Sequence, residues 1–119
     1  MDMSLAVSQR GIFRVVEVHG DLDMATVPAL GERILELVSS GSRHFVVDLN
    51  GVTFIDSAGL GVLVGALKRV RAGGGTMRLV CRQPRVLRLL QLTGLDEVFV
   101  IVASRGGLPG ALEPPPDEL

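Results

Sequence analysis

The apolar residues of this chain change period along its length: short extended runs give way to stretches with apolar residues three and four apart, and the two kinds alternate. That alternation leaves few architectures. Strand-helix-strand order demands crossover connections, which are right-handed and lay parallel strands beneath packed helices. Runs at 5–8 and 12–19 flank Gln9-Arg10-Gly11 and read as a hairpin whose second strand carries the β-branched Val15-Val16-Glu17-Val18. Runs at 44–49, 77–81 and 98–102 are mostly apolar, as suits strands covered on both faces. The expected fold is α/β, one domain with a mixed, mostly parallel five-stranded sheet and residues 4–8 as its antiparallel edge.

Three helices are expected between these strands. One begins near Thr26 and sets Val27, Leu30, Ile34, Leu37 and Val38 on one face, with Pro28 tolerated in the first turn. A second begins at Ser57, buries Leu60, Leu63, Val64, Leu67 and Val70, and ends at Gly73-Gly74-Gly75. Lys68, Arg69 and Arg71 suit its negative end. The third runs from Pro84 to Thr93, buries Val86, Leu87 and Leu90, and stops at Gly94.

A length of 119 residues suits one domain, which can bury a core without disulfides or metal. The domain is expected to span 1–112, with a short turn around 108–112. The Pro-rich residues 113–119 are expected to be a disordered tail.

Composition excludes several function classes. A net charge of -1 and a pI near 6.1 argue against a nucleic-acid binder, which gathers basic charge on one face. The N-terminus lacks the pattern of a signal peptide and no apolar run could span a bilayer, so a cytoplasmic location with no membrane partner is expected. Cys81, the single cysteine, is read as a core residue. His19 and His44 lack a third ligand for a metal site, and no cofactor is expected.

The segment from Thr53 to Gly61 stands apart. Gly59, Gly61 and Gly65 lie in or beside a helix at a cost of about 0.5 to 1 kcal/mol each, which points to close approach by a neighbouring helix or a partner, or to tight internal packing alone. Ser57 stands at the helix start, where its hydroxyl can cap an amide and where the helix dipole accepts added negative charge.

The order Asp48-Leu49, Val52, Phe54-Ile55-Asp56-Ser57-Ala58-Gly59-Leu60-Gly61 and Leu63 closely resembles the phosphorylation segment of the STAS-domain anti-sigma factor antagonists. His19-Gly20-Asp21-Leu22-Asp23 resembles that family's loop before the first helix. Leu92-Thr93-Gly94-Leu95 with Phe99 resembles its late signature, so the likeness covers roughly residues 3–103. The resemblance implies an antagonist that binds an anti-sigma factor serine kinase while its serine is free, thereby releasing sigma factor. Phosphorylation ends the binding and a PP2C-type phosphatase resets it. On this chain it makes Ser57 the phosphoacceptor and gives Asp23 a part in kinase contact or phosphorylation, while Asp56, Gly59, Leu60 and Gly61 shape the contact surface. A monomer or weak dimer is expected. Many members end in a better-formed amphipathic helix than the Gly- and Pro-rich end of this chain, which bears on the cover of the sheet rather than on the switch.

Enzymatic readings fail on spacing. Val64 stands where a dinucleotide fingerprint needs glycine, and Ile55 stands where a hydrolase elbow needs it. A receiver-type phosphoacceptor at Asp48, with Asp21 and Asp23, lacks the lysine beyond a later strand, since Lys68 lies within a helix. No catalytic residue is assigned. The alternative to the switch is a non-switching STAS scaffold in a signalling or transport complex.

Overall fold

Alternation within the extended runs builds a sheet that is apolar on both sides. The computed structural model describes residues 2–108; the expected residues 109–112 of the domain and the expected tail 113–119 lie outside the described residues. Its strands are β1 (Met3–Arg10), β2 (Phe13–Leu22), β3 (His44–Ile55), β4 (Thr76–Val80) and β5 (Val100–Val102). They lie in the order β1-β2-β3-β4-β5, with β1 antiparallel to β2 and every other neighbouring pair parallel. The α-helices are α1 (Val27–Ser39), α2 (Ser57–Ala72) and α3 (Pro84–Leu92).

On one face, Val16, Val18, Phe45, Val47, Leu49 and Leu79 join Leu30 and Ile34 of α1, Leu63, Leu67 and Val70 of α2, and Val86 and Leu90 of α3 in a single core. Each fully buried aliphatic side chain there contributes about 1.5–3 kcal/mol. The intervening residues Phe13, Val15, Val46 and Val80 point to the opposite face, where they are buried with Leu108. Burial on both sides explains why Phe45, Val46 and Val47 form an unbroken apolar run. Cys81 is in the core as expected, and burial pushes its thiol pKa up.

The expected elements appear with corrected limits. The hairpin turns at Gly11-Ile12, where Gly11 takes a φ of 59°, so β1 continues through Gln9 and Arg10. β2 and β3 run past their expected ends at His19 and Leu49 and pair as far as Leu22 with Ile55. The seven-residue loop expected before Ser57 is therefore largely strand, and it carries the chain straight to the start of α2. Register shifts between Glu17 and His19 and between Gly20 and Asp21 hide this extension from a period-two reading. At the far end Val98 and Phe99 precede β5 rather than belonging to it.

Arg105 fixes the last described turn to the sheet, since its guanidinium pairs with Glu17 and, at 3.0 Å, with Asp48. His19 Nε2 meets Glu17 at 3.0 Å, and this hydrogen bond, with Arg105, holds the Glu17 carboxyl below its ordinary range.

Candidate functional site

The site forms where β2 and β3 end side by side and α2 begins. Asp56, in extended conformation, is the N-cap of α2: its carboxylate accepts the Gly59 amide at 3.0 Å. Ser57 is the first helical residue and is exposed, and its hydroxyl makes no hydrogen bond among the described residues. The sequence reading gave the capping role to Ser57. Both residue types suit a cap, and the longer β3 shifts the cap one residue earlier, which leaves the serine hydroxyl unengaged.

The backbone beneath this turn is tightly seated. The Asp56 amide donates to the Leu22 carbonyl at 3.3 Å, tying the start of α2 to the end of β2. A methyl on Gly59 would stand 2.5 Å from that carbonyl oxygen and 2.7 Å from Ile55 Cγ1. Gly61 and Gly65 differ: a methyl on either would meet nothing within 4 Å among the described residues, and both are exposed. The three glycines therefore divide. Gly59 answers to internal packing, whereas nothing among the described residues requires Gly61 or Gly65. Ser57, Gly61 and Gly65 are four apart and lie along one face of α2.

Asp23 lies in the loop that follows β2, as expected, but it is turned inward, and the residue is only 8% exposed. Its Oδ1 accepts from the amides of Ala25 at 3.0 Å and Thr26 at 3.1 Å, and the Asp23 amide donates to Thr26 Oγ1 at 2.9 Å. Thr26 Oγ1 in turn donates to the Asp21 carbonyl at 2.7 Å. The loop is closed on itself and feeds α1 at a fixed angle. Leu60 is buried as well, so Asp23, Gly59 and Leu60 support the surface from below while Ser57 and Gly61 face outward.

Two exposed apolar side chains belong to the same end of the sheet and were missed as site residues: Met24, 78% exposed, and Phe54, 48% exposed. Met24 sits in the Asp23 loop, and Phe54 is paired in register with Asp21. A large apolar side chain between Asp23 and Ala25-Thr26, in the loop before α1, was the available signal for Met24.

The receiver arrangement is absent. Asp48 lies within β3, paired to Arg105, with its Oδ1 accepting the Asn50 amide at 2.9 Å, and is not gathered with Asp21 and Asp23. Among the described residues no three His, Cys, Asp or Glu side chains are placed to hold a metal ion. No helix of the described residues is long and apolar enough to cross a membrane.

A five-stranded mixed sheet with a hairpin edge, and a serine opening the helix after its central strand, define a small class of regulatory domains. Residues 4–107 match the family model of the STAS domain, and the chain belongs to that family. It is similar to the anti-sigma-B factor antagonist of Bacillus subtilis, 34% identical over 109 residues that cover 91% of this chain and 99% of that one. An anti-sigma-B factor antagonist of Staphylococcus aureus is 33% identical over 99 residues, covering 83% of this chain and 92% of its own. The crystal structure of an anti-sigma factor antagonist from Mycobacterium paratuberculosis superposes with a TM-score of 0.80 at 31% identity, over 88% of this chain and 89% of that one.

Proposed function

We propose that this chain is an anti-sigma factor antagonist that binds an anti-sigma factor serine kinase through the surface around Ser57 and is switched off by phosphorylation of that serine. The kinase, once engaged, releases its sigma factor, and a PP2C-type phosphatase restores the free serine. The chain acts in the cytoplasm as a regulatory binding protein and not as an enzyme. The reading is supported by similarity to proteins named for this role and carried by one observation: Ser57 is exposed on the first turn of α2, with the Cβ-less positions Gly61 and Gly65 beyond it.

The geometry suits a switch that acts on the partner rather than on the fold. A phosphate on Ser57 would sit at the positive end of α2, where the helix dipole favours an anion by about 0.3–1 kcal/mol, so the domain keeps its structure. The same group adds about 1.5 to 2 negative charges and considerable bulk where the partner must approach backbone closely. Asp56, next to it, adds like charge. A loss of about 2.8 kcal/mol already weakens binding about a hundredfold, within reach of one misplaced interface charge.

The test is release of sigma factor. Added to a preformed complex of sigma factor with its cognate anti-sigma kinase, the unphosphorylated chain should free sigma factor in size-exclusion chromatography, and chain phosphorylated on Ser57 should leave the complex intact. Failure of the unphosphorylated chain to compete would reject the antagonist role.

A further inference from the structure

Charge is divided along this chain. Between Ser57 and Leu95 there are seven basic residues and no acidic one, so this stretch carries +7 and the remainder of the chain -8, which together give the net charge of -1. A surface that is merely solvated intersperses both signs. Of the seven, Arg78 is buried over the Phe13 ring, whereas Lys68, Arg69, Arg71, Arg82, Arg85 and Arg88 are exposed. None of these six makes an ion pair among the described residues.

Five of the six share one flank. On α3, Arg85, Arg88 and Leu92 recur three and four residues apart, away from the buried Val86 and Leu90, and Arg82 stands just before the helix. On α2, Arg71 lines a hollow with Val98 and Val100, and Lys68, one turn earlier, faces the same way. Arg69 turns instead toward Gly31 and Glu32 of α1.

Apolar side chains are exposed among these bases: Leu92, at 70%, with Val98 and Val100. Apolar groups edged by cations fit a protein surface better than a nucleic-acid backbone, which rewards charge. A lipid surface would need an apolar helix face to insert, and that face of α3, with Val86 and Leu90, is buried.

We infer that this flank docks an acidic face of the anti-sigma partner, an inference that rests on the antagonist role proposed above. β3 and β4 run parallel and each is followed by its helix, so α3 begins toward the end of the sheet at which Ser57 stands. An acidic partner accounts for both halves of the switch. Arg82, Arg85 and Arg88 attract it and speed its encounter, whereas phosphate on Ser57, beside Asp56, repels it.

The test is stopped-flow association of the full chain with the cognate anti-sigma kinase at low and high salt. Arg85→Glu and Arg88→Glu should each slow association about three- to tenfold at low ionic strength, and the difference should fade toward about 0.5 M salt as screening shortens. Arg88→Lys, which keeps the charge, should associate like the parent. So should Arg10→Glu, which makes the same charge change on the opposite edge strand. Both α3 reversals should fold, since the residues are exposed and a carboxylate in the first turn suits the positive end of the helix; circular dichroism checks this. A parent that binds the kinase while Arg85→Glu and Arg88→Glu associate no more slowly than Arg10→Glu would overturn the inference and leave the antagonist role standing. A parent that does not bind would overturn both. Self-association, or retention on phosphatidylserine vesicles, that is lost in Arg85→Glu while kinase association is unchanged would assign the flank to a second copy or to lipid and overturn the inference as well.

Discussion

Gly59 passes so close to Leu22 that a methyl on its Cα would stand 2.5 Å from the Leu22 carbonyl oxygen. This contact, with the Asp56 amide donating to the same carbonyl, sets how far α2 projects beyond the sheet and so where Ser57 is displayed. Gly59→Ala should therefore destabilise the domain by about 1–3 kcal/mol, because backbone cannot yield as a flexible side chain does. Gly61→Ala should do the opposite, raising stability by about 0.5–1 kcal/mol while weakening the anti-sigma partner's grip. Urea denaturation of both variants, with a binding titration of Gly61→Ala, checks the pair.

The cap is expected to belong to Asp56. Asp56→Ala should lower stability by about 0.5–2 kcal/mol, and Ser57→Ala, which removes an unengaged hydroxyl, should change it far less. Equal effects of the two substitutions on the denaturation midpoint would return the capping role to the serine.

Asp23 organises its own loop through a buried side chain. From sequence, a loop carboxylate contributes at most a cap-like hydrogen bond of about 1 kcal/mol, so Asp23→Ala is expected to reduce kinase binding or phosphorylation while leaving the fold nearly intact. Here its Oδ1 gathers two amides, so the alanine variant should lose about 1–2 kcal/mol and loosen the loop that carries Met24. Asp23→Asn keeps an acceptor at Oδ1 and should retain most of the stability. Kinase binding that falls in Asp23→Ala and recovers in Asp23→Asn identifies loop geometry as what matters; loss in both identifies the charge.

Acid should loosen the Arg105 contact. Because the folded Glu17 pKa lies below its ordinary value of 4.5, its contribution is present above that value and is lost as pH falls through the lower, folded pKa. Stability of the parent should therefore drop more steeply below about pH 4.5 than that of Glu17→Gln, as followed by acid titration of the far-ultraviolet circular dichroism.

The sheet was legible because burial on both faces leaves an uninterrupted apolar signature in residues 45–47, and the helices because Leu30, Ile34, Leu63 and Leu67 recur at helical spacing. The extension of β3 through Asn50 and Gly51 was not. There the strand is polar and glycine-containing, and Gly51 is packed against the His19 ring, 2.3 Å from Nδ1 to where a Cβ would lie, so neither propensity nor alternation marks it. The position of Ser57 could be read from sequence; its free hydroxyl could not, because Asp56 and Ser57 are equally good cap residues and only the strand length decides between them. The inward turn of Asp23 was likewise hidden, since it depends on where Thr26 stands in the folded loop.

In the proposed switch, the charge state of Ser57 governs partner binding. Ser57→Ala should bind the cognate anti-sigma kinase persistently and Ser57→Asp poorly, with the aspartate weaker in effect than true phosphorylation because it carries one charge where phosphate carries up to about two. Both should fold, since Asp56 holds the cap. The most direct measurement is mass spectrometry of the chain after incubation with that kinase and ATP, paired with binding titrations of the two variants. Phosphate on Ser57 with tight Ala and weak Asp binding is the predicted result. Phosphate found reproducibly on another residue, or equal affinity of the two variants, would contradict the switch and favour a non-switching scaffold.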